Sequence, residues 1–322
     1  MKMIQNSLVV IFSVYLSIIL SHSFITANIW AFTSDRNQEL PLLLAKSEDI
    51  VIYKKDIIAS PGELKSESKK DAKELKVIEK PAVKNLDTPR LDTVAKYLKE
   101  GKKYEARNLL SDFFINKKIP EKQKEIKELL DKLNEELIFS PLPSPDATIY
   151  TVQPGDAFSR IARQFNTNYE LITRINGKSN TKLNVGEKLK VLTGKTKILI
   201  SKRGFTLTLL LNGYYIKQYP ICIGKDDKTP VGTFEVKNKM KEPTWYAPSG
   251  GVFPYGHKEN ILGTRWIGFK DKPALSGFGI HGTTQPESIG TASSNGCIRM
   301  INSDAEELYD FVTLDTEIII QG

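Results

Sequence analysis

Two cysteines and three histidines in 322 residues are the first constraint on this chain. Two cysteines cannot staple a protein of this length, which excludes a disulfide scaffold. Three histidines are too few for an ordinary His-rich zinc centre, and the sequence holds neither a metal-ligand cluster nor a cofactor motif. Repeated long apolar runs are missing as well. With 40% hydrophobic and 26% charged residues, neither a multi-spanning membrane protein nor a wholly disordered chain fits. No nucleic-acid motif or aromatic–basic platform is present, so nucleic acid is not an expected partner. The 46 basic residues outnumber 38 acidic ones, and a net charge of +8 suits an anionic surface without naming it.

The apolar material that does exist is concentrated at the start. Residues 8–20, LVVIFSVYLSIIL, follow Lys2 and are apolar apart from two serines. That length matches the roughly 7–15 apolar residues of an export signal, and read on to Phe32 it could just cross a bilayer. No A-x-A cleavage site follows. Residues 1–32 are read as a signal peptide or a membrane anchor, both alternatives standing. The expected location is outside the cytoplasm, in a periplasm or cell wall, with anchoring to an inner membrane as an option.

Residues 33–90 read as a charged spacer of low complexity; the part from Pro61 to Pro89 is rich in Lys and Glu of alternating sign. The period then becomes helical over 91–139. Leu91, Val94, Ala95 and Leu98 share one face, Ala106, Leu109, Leu110 and Phe113 continue it, and Pro120 opens a further helix through Ile126, Leu130 and Leu137. This helical hairpin is tetratricopeptide-like in cadence, and two uses stay open: a spacer, or a docking unit for a protein partner. A proline-rich linker fills 140–148.

Residues 149–193 form a self-contained pattern: strand IYTV, a PGD turn, a helix with Phe158, Ile161 and Ala162 on one face, and a second helix that Asn168 is placed to cap. A turn at Val185-Gly186 leads into the closing strand KLKVL. With its YTVQPGD opening, IARQF helix and L-x-x-G-x-x-L-x-V close, this βααβ module resembles a LysM domain. The resemblance implies binding to glycans that contain N-acetylglucosamine, peptidoglycan among them. Gly155, Asp156 and Asn176 are read as turn and cap residues, not sugar contacts.

Residues 196–322 contain short β-type runs separated by Gly, Pro and Asn turns, with Asn212-Gly213 as a strong hairpin signal. One helix is expected over 303–312, with Ser303 as its cap and Glu306 completing a capping box. The expectation is a mainly-β sandwich or barrel. Its chemistry is concentrated in IHGTTQPESIGTASSNGCIRM. Cys297 follows Asn295-Gly296 on a tight turn, and His281 ends a strand 16 residues upstream. A thiol becomes a nucleophile when a neighbour takes its proton, so a Cys–His pair is one reading, with a buried cysteine and an ordinary loop histidine as the other.

The run His281-Gly282-Thr283 followed by Ser294-Asn295-Gly296-Cys297-Ile298-Arg299 resembles the signature of the L,D-transpeptidase (YkuD) catalytic domain. Thr229-Pro230, Gly232 and Phe234 strengthen the resemblance, as do Pro243 with Trp245 and the NILG stretch before TRWIGF. It implies that Cys297 is the nucleophile and His281 its base, acting on peptidoglycan stem peptides. The product would be a 3–3 cross-link with release of D-Ala. Hydrolysis, protein attachment to the wall, and a noncatalytic wall-binding role are the alternatives. The N–H groups of Gly296 and Cys297 are the expected oxyanion hole, and the Asn295 carbonyl is expected to orient the imidazole. Many members carry His where Asn295 stands. Gly282, Thr283 and Ser294 are orienting candidates. Arg299 has two readings, a substrate-carboxylate contact and a structural ion pair. Trp245, Tyr246 and Tyr255 lie in a Gly/Pro-rich stretch read as a lid. No metal and no cofactor is expected. Cys222 is read as a small buried hydrophobe.

Overall fold

The computed structural model describes residues 88–322, so the expected signal or anchor and nearly all of the charged spacer lie outside the described residues. Helix α1, Thr88–Lys99, begins inside the stretch read as spacer. Helix α2, Lys103–Ile115, and helix α3, Gln123–Leu137, follow, and Pro120 opens a short 3-10 turn ahead of α3 where its missing N–H is harmless. Among the described residues no helix is long and apolar enough to cross a membrane.

Strands β1, Ala147–Thr151, and β2, Lys188–Leu192, pair antiparallel around helices α4, Phe158–Gln164, and α5, Tyr169–Ile175. Val152, Phe158, Ile161, Ala162, Ile172, Leu189 and Val191 make its core. Asp156 accepts hydrogen bonds from the Tyr150 hydroxyl and the Gln153 N–H, both at 2.8 Å, and Asn176 ties the end of α5 to both backbone groups of Lys190. These side chains are committed to the module's own turns. Asn168 precedes α5 but does not cap it. Its amide donates instead to the carbonyls of Asp310 and Val312, at 2.7 and 2.8 Å.

The remaining strands are β3 (Thr196–Ser201), β4 (Thr206–Leu211), β5 (Tyr214–Pro220), β6 (Ile223–Gly224) and β7 (Gly232–Lys241). They continue with β8 (Trp245–Tyr246), β9 (Val252–Phe253), β10 (Arg265–Phe269) and β11 (Gly279–His281). The last are β12 (Ala292–Ser294), β13 (Ile298–Arg299) and, after helix α6 (Asn302–Phe311), β14 (Glu317–Gln321). Eight of them form one curled sheet in the order β13-β11-β10-β7-β14-β3-β4-β5. Buried side chains alternate along β3, β7 and β14, as in Ile198 and Ile200, Phe234 and Val236, Ile318 and Ile320, whereas β4 is buried along nearly its whole length. Asn212 and Gly213 both take positive φ, +54° and +84°, the type I′ geometry that joins β4 to β5. The capping box does not form: α6 starts at Asn302, with no side-chain cap.

At the far edge of the sheet, β5 is covered by the helical hairpin. Its Tyr215 N–H donates to the Ser111 hydroxyl at 2.7 Å, and the Asn134 amide donates to the carbonyls of Tyr215 and Ile216, each at 2.9 Å. Ser111 and Asn134 are fully buried, so two side chains satisfy backbone groups that would otherwise invite another strand. Arg107 and Asp146 form a buried ion pair under this junction, and the Lys190 ammonium reaches the carbonyls of Leu137 and Ser140 at 2.7 and 3.0 Å. The hairpin is therefore an integral cover of the sheet, not a free spacer.

Candidate active site

Three short strands position the site. β10 pairs antiparallel with β11, placing Trp266 opposite His281, and β11 runs parallel to β13, placing Ile280 opposite Ile298 and His281 opposite Arg299. Parallel register sets His281 beside Arg299, and Cys297 lies two residues before Arg299, at the end of the turn that leads into β13. The site is thus built on the sheet's edge by two strands that sequence separates by a loop of 16 residues.

A closed turn holds the cysteine. The buried Ser294 hydroxyl accepts from the Gly296 N–H at 3.0 Å and donates to the Cys297 carbonyl at 2.6 Å. Thr229 reaches in from the other side, its hydroxyl donating to the Gly296 carbonyl at 2.8 Å and accepting from the Gly224 N–H at 2.7 Å. Gly296 is required here: its φ is +130°, and an added Cβ would stand 2.8 Å from the Phe278 ring. Because the Gly296 N–H is taken by Ser294, it does not join an oxyanion hole. Of the expected pair, only the Cys297 N–H remains a candidate.

The imidazole of His281 is buried and stacks on the Trp266 indole, with ring centroids 6.0 Å apart and planes 24° from parallel. Its Nδ1 lies 2.6 Å from the Gly282 carbonyl oxygen. A carbonyl can only accept, so in the neutral ring Nδ1 carries the proton and Nε2 is the basic nitrogen. The orienting carbonyl is therefore that of Gly282, where the sequence had suggested Asn295. Gly282 follows the histidine directly at the end of β11, and Asn295 is exposed. Burial pushes the His281 pKa down to about 4, Arg299 adds to the effect, and the carbonyls of Gly282 and Leu262 oppose it.

Cys297 is half-buried, and its sulfur points toward the Gly277 carbonyl at 3.7 Å. Burial pushes its thiol pKa up from the usual value, against the lowering effects of the Gly279 N–H and the Arg299 charge. Both shifts favour the neutral forms of thiol and imidazole near pH 7.

Thr283 and Thr264 are held by a residue the sequence reading missed. The Asn302 side-chain oxygen accepts from the N–H groups of Thr283 and Thr264, at 3.0 and 3.2 Å. Thr283 in turn accepts from the Gln285 N–H at 3.0 Å. Arg299 is buried, its Nη1 donates to the Gln285 side chain at 3.0 Å, and its Nε has no partner. Among the described residues no carboxylate pairs with Arg299, which removes the structural ion-pair reading. Asn302, Gln285 and Trp266 offered no local signal. Thr229 lay in the T-P-x-G-x-F run already noted.

The lid candidates form a small hairpin of their own. Trp245 stacks on Phe253 at 5.5 Å, His257 lies over the same ring at 5.0 Å, and Tyr246 and Tyr255 are exposed. Buried Asn260 ties the segment at both ends through the carbonyls of Pro243 and Phe253. Both cysteines are free: Cys222 is buried beside Ser293, and its backbone pairs with that of Arg299. Among the described residues no group of His, Cys, Asp or Glu is arranged to hold a metal ion.

Comparison with known proteins follows the same division of the chain. Residues 150–192 match the LysM domain profile, and residues 195–320 match that of the L,D-transpeptidase catalytic domain, YkuD. A Bacillus subtilis protein named as the L,D-transpeptidase YkuD is 33% identical over 178 residues, spanning 53% of this chain and 97% of its own length. A second B. subtilis protein, named as the L,D-transpeptidase YqjB, is 36% identical over 132 residues, 40% of this chain and 73% of its own. Among solved structures, an L,D-transpeptidase from Mycobacterium smegmatis aligns with 22% identity and a TM-score of 0.34, over 43% of this chain and 65% of that one. The chain belongs to the L,D-transpeptidase (YkuD) family.

Proposed function

We propose that this protein is a peptidoglycan L,D-transpeptidase of the cell envelope that works through a cysteine acyl-enzyme. The observation that supports the reading is the parallel pairing of β11 with β13, which sets His281 beside Arg299 and so brings the turn bearing Cys297 to the same edge of the sheet. His281 takes the Cys297 proton on Nε2 as the sulfur attacks the carbonyl between the third and fourth stem residues. The Cys297 N–H faces the developing oxyanion. The imidazolium, held by the Gly282 carbonyl, then protonates the leaving amine of D-Ala, and a thioester remains. A second stem's amine attacks the thioester, releases the thiol and forms a 3–3 cross-link. The LysM module binds the glycan strand, and residues 1–32 direct export. The hairpin 245–253 is our proposed cover for the site.

Intact mass spectrometry after exposure to a carbapenem tests the chemistry. Wild type is expected to gain one adduct that is lost in Cys297→Ala and forms much more slowly in His281→Ala. Incubation with tetrapeptide stems then separates cross-linking from hydrolysis. A folded wild-type protein that gains no adduct would overturn the reading.

A further inference from the structure

Arg299 is a buried cation with no carboxylate partner among the described residues. It is only 8% exposed, its Nε has no partner, and its one side-chain bond goes to a neutral amide oxygen. An uncompensated guanidinium is costly to desolvate, so its retention calls for an anion that arrives from outside. Its backbone is fixed by two hydrogen bonds to Cys222, each 2.9 Å. Gln285 is fixed as well, by its N–H bond to Thr283 and by the turn at Pro286–Ser288 that follows it. A glutamate at this position would orient the guanidinium equally well but would cancel its charge. The glutamine orients it and leaves the charge available. Arg299 lies two residues beyond Cys297, at most about 6.6 Å along the backbone, and strand pairing sets it beside His281. A carboxylate on the residue just past the attacked carbonyl falls within reach of so long a side chain.

We propose that Arg299, presented by Gln285, is a receptor for one free carboxylate, that of the residue immediately beyond the bond Cys297 attacks. Through it the enzyme reads the end of its substrate: a chain that stops one residue after that bond is accepted, and one that continues or is amidated there is disfavoured. Which bond is attacked rests on the transpeptidase reading above; the anion receptor does not. Gln285 is a positioning residue in this scheme, acting through Arg299. That both reacting groups feel the Arg299 charge agrees with its place beside them.

The test uses two thiol reagents that differ in one charge. Cys297 is alkylated by iodoacetate and by iodoacetamide at low salt, the adduct is located by peptide mass spectrometry, and the rate ratio is compared with that of free cysteine. Wild type is expected to favour iodoacetate about tenfold relative to free cysteine, in line with a charge-assisted hydrogen bond. In Gln285→Glu the new carboxylate occupies Arg299, and the ratio falls to that of free cysteine. Gln285→Ala keeps the charge and retains most of the preference. Gln285 is exposed, so these variants are expected to fold, which circular dichroism checks. A wild-type ratio equal to that of free cysteine would overturn the receptor. Tetrapeptide stems with a free and with an amidated carboxyl terminus give the second arm. Preference for the free acid, lost in Gln285→Glu, supports the proposal, and equal turnover of the two overturns it. If neither stem is processed while the alkylation ratio holds, the transpeptidase reading fails and the receptor stands.

Discussion

The Ser294 hydroxyl lies 2.6 Å from the carbonyl oxygen of Cys297, three residues on, and takes the Gly296 N–H from the same turn. One buried side chain thus sets the direction of the chain on both sides of the sulfur. Ser294→Ala is expected to lose both bonds and about 1–3 kcal/mol of stability, measured by urea unfolding. Adduct formation at Cys297 should slow even where the fold survives, because the turn is no longer held.

Burial raises the Cys297 thiol and lowers His281, so the expected resting state is a neutral thiol and a neutral imidazole. Thiolate absorbance near 240 nm, taken as wild type minus Cys297→Ala, should be absent at pH 7 and appear only in the alkaline range. A thiolate band already present at pH 6 would contradict the neutral pair.

Stability should depend on pH through His281. Its pKa falls from 6.5 in the unfolded chain to about 4 in the fold, so the unfolded state binds more protons between these values. The stability present above pH 6.5 is therefore lost as pH falls toward 4. At pH 4.5, urea unfolding should show wild type losing about 2–3 kcal/mol more than His281→Gln, relative to pH 7.

Asn134→Ala should leave the Tyr215 and Ile216 carbonyls buried without a donor. The expected cost is about 2–4 kcal/mol, and the loosened edge of β5 should promote self-association visible by light scattering. Ser111→Ala, which removes the acceptor of the Tyr215 N–H, should act in the same direction.

Much of the architecture was legible because its causes are local. The Asn212-Gly213 turn, the helical spacing of Leu110, Phe113, Ile126 and Leu130, and the βααβ pattern of residues 149–193 all follow from nearest-neighbour chemistry. The site was legible as a motif, since His281 and Cys297 sit in a recognisable string. What local rules missed were side chains that serve distant backbone. Asn168 stands at a cap position but spends its amide on Asp310 and Val312, and Asn302 starts a helix yet holds Thr264 and Thr283. An asparagine can satisfy either a neighbouring N–H or one far along the chain, and only the fold decides which. The same holds for the imidazole, whose partner is its own following carbonyl, and for Gly296, whose N–H Ser294 had already claimed.

The linear order of helices, LysM module and catalytic sheet suggests parts that can be cut and exchanged, but the contacts do not follow the seams. Lys190 belongs to the LysM module by sequence and fastens to the end of the helical hairpin; Asn168 and Arg174 fasten the same module to the end of helix α6. The hairpin in turn finishes the catalytic sheet. An engineer who transplanted residues 196–322 alone would carry away an unfinished edge. A LysM cassette swapped in from another protein would have to bring equivalents of Lys190, Asn168 and Arg174. The practical unit of inheritance and of cloning is the whole span from the hairpin to the last strand.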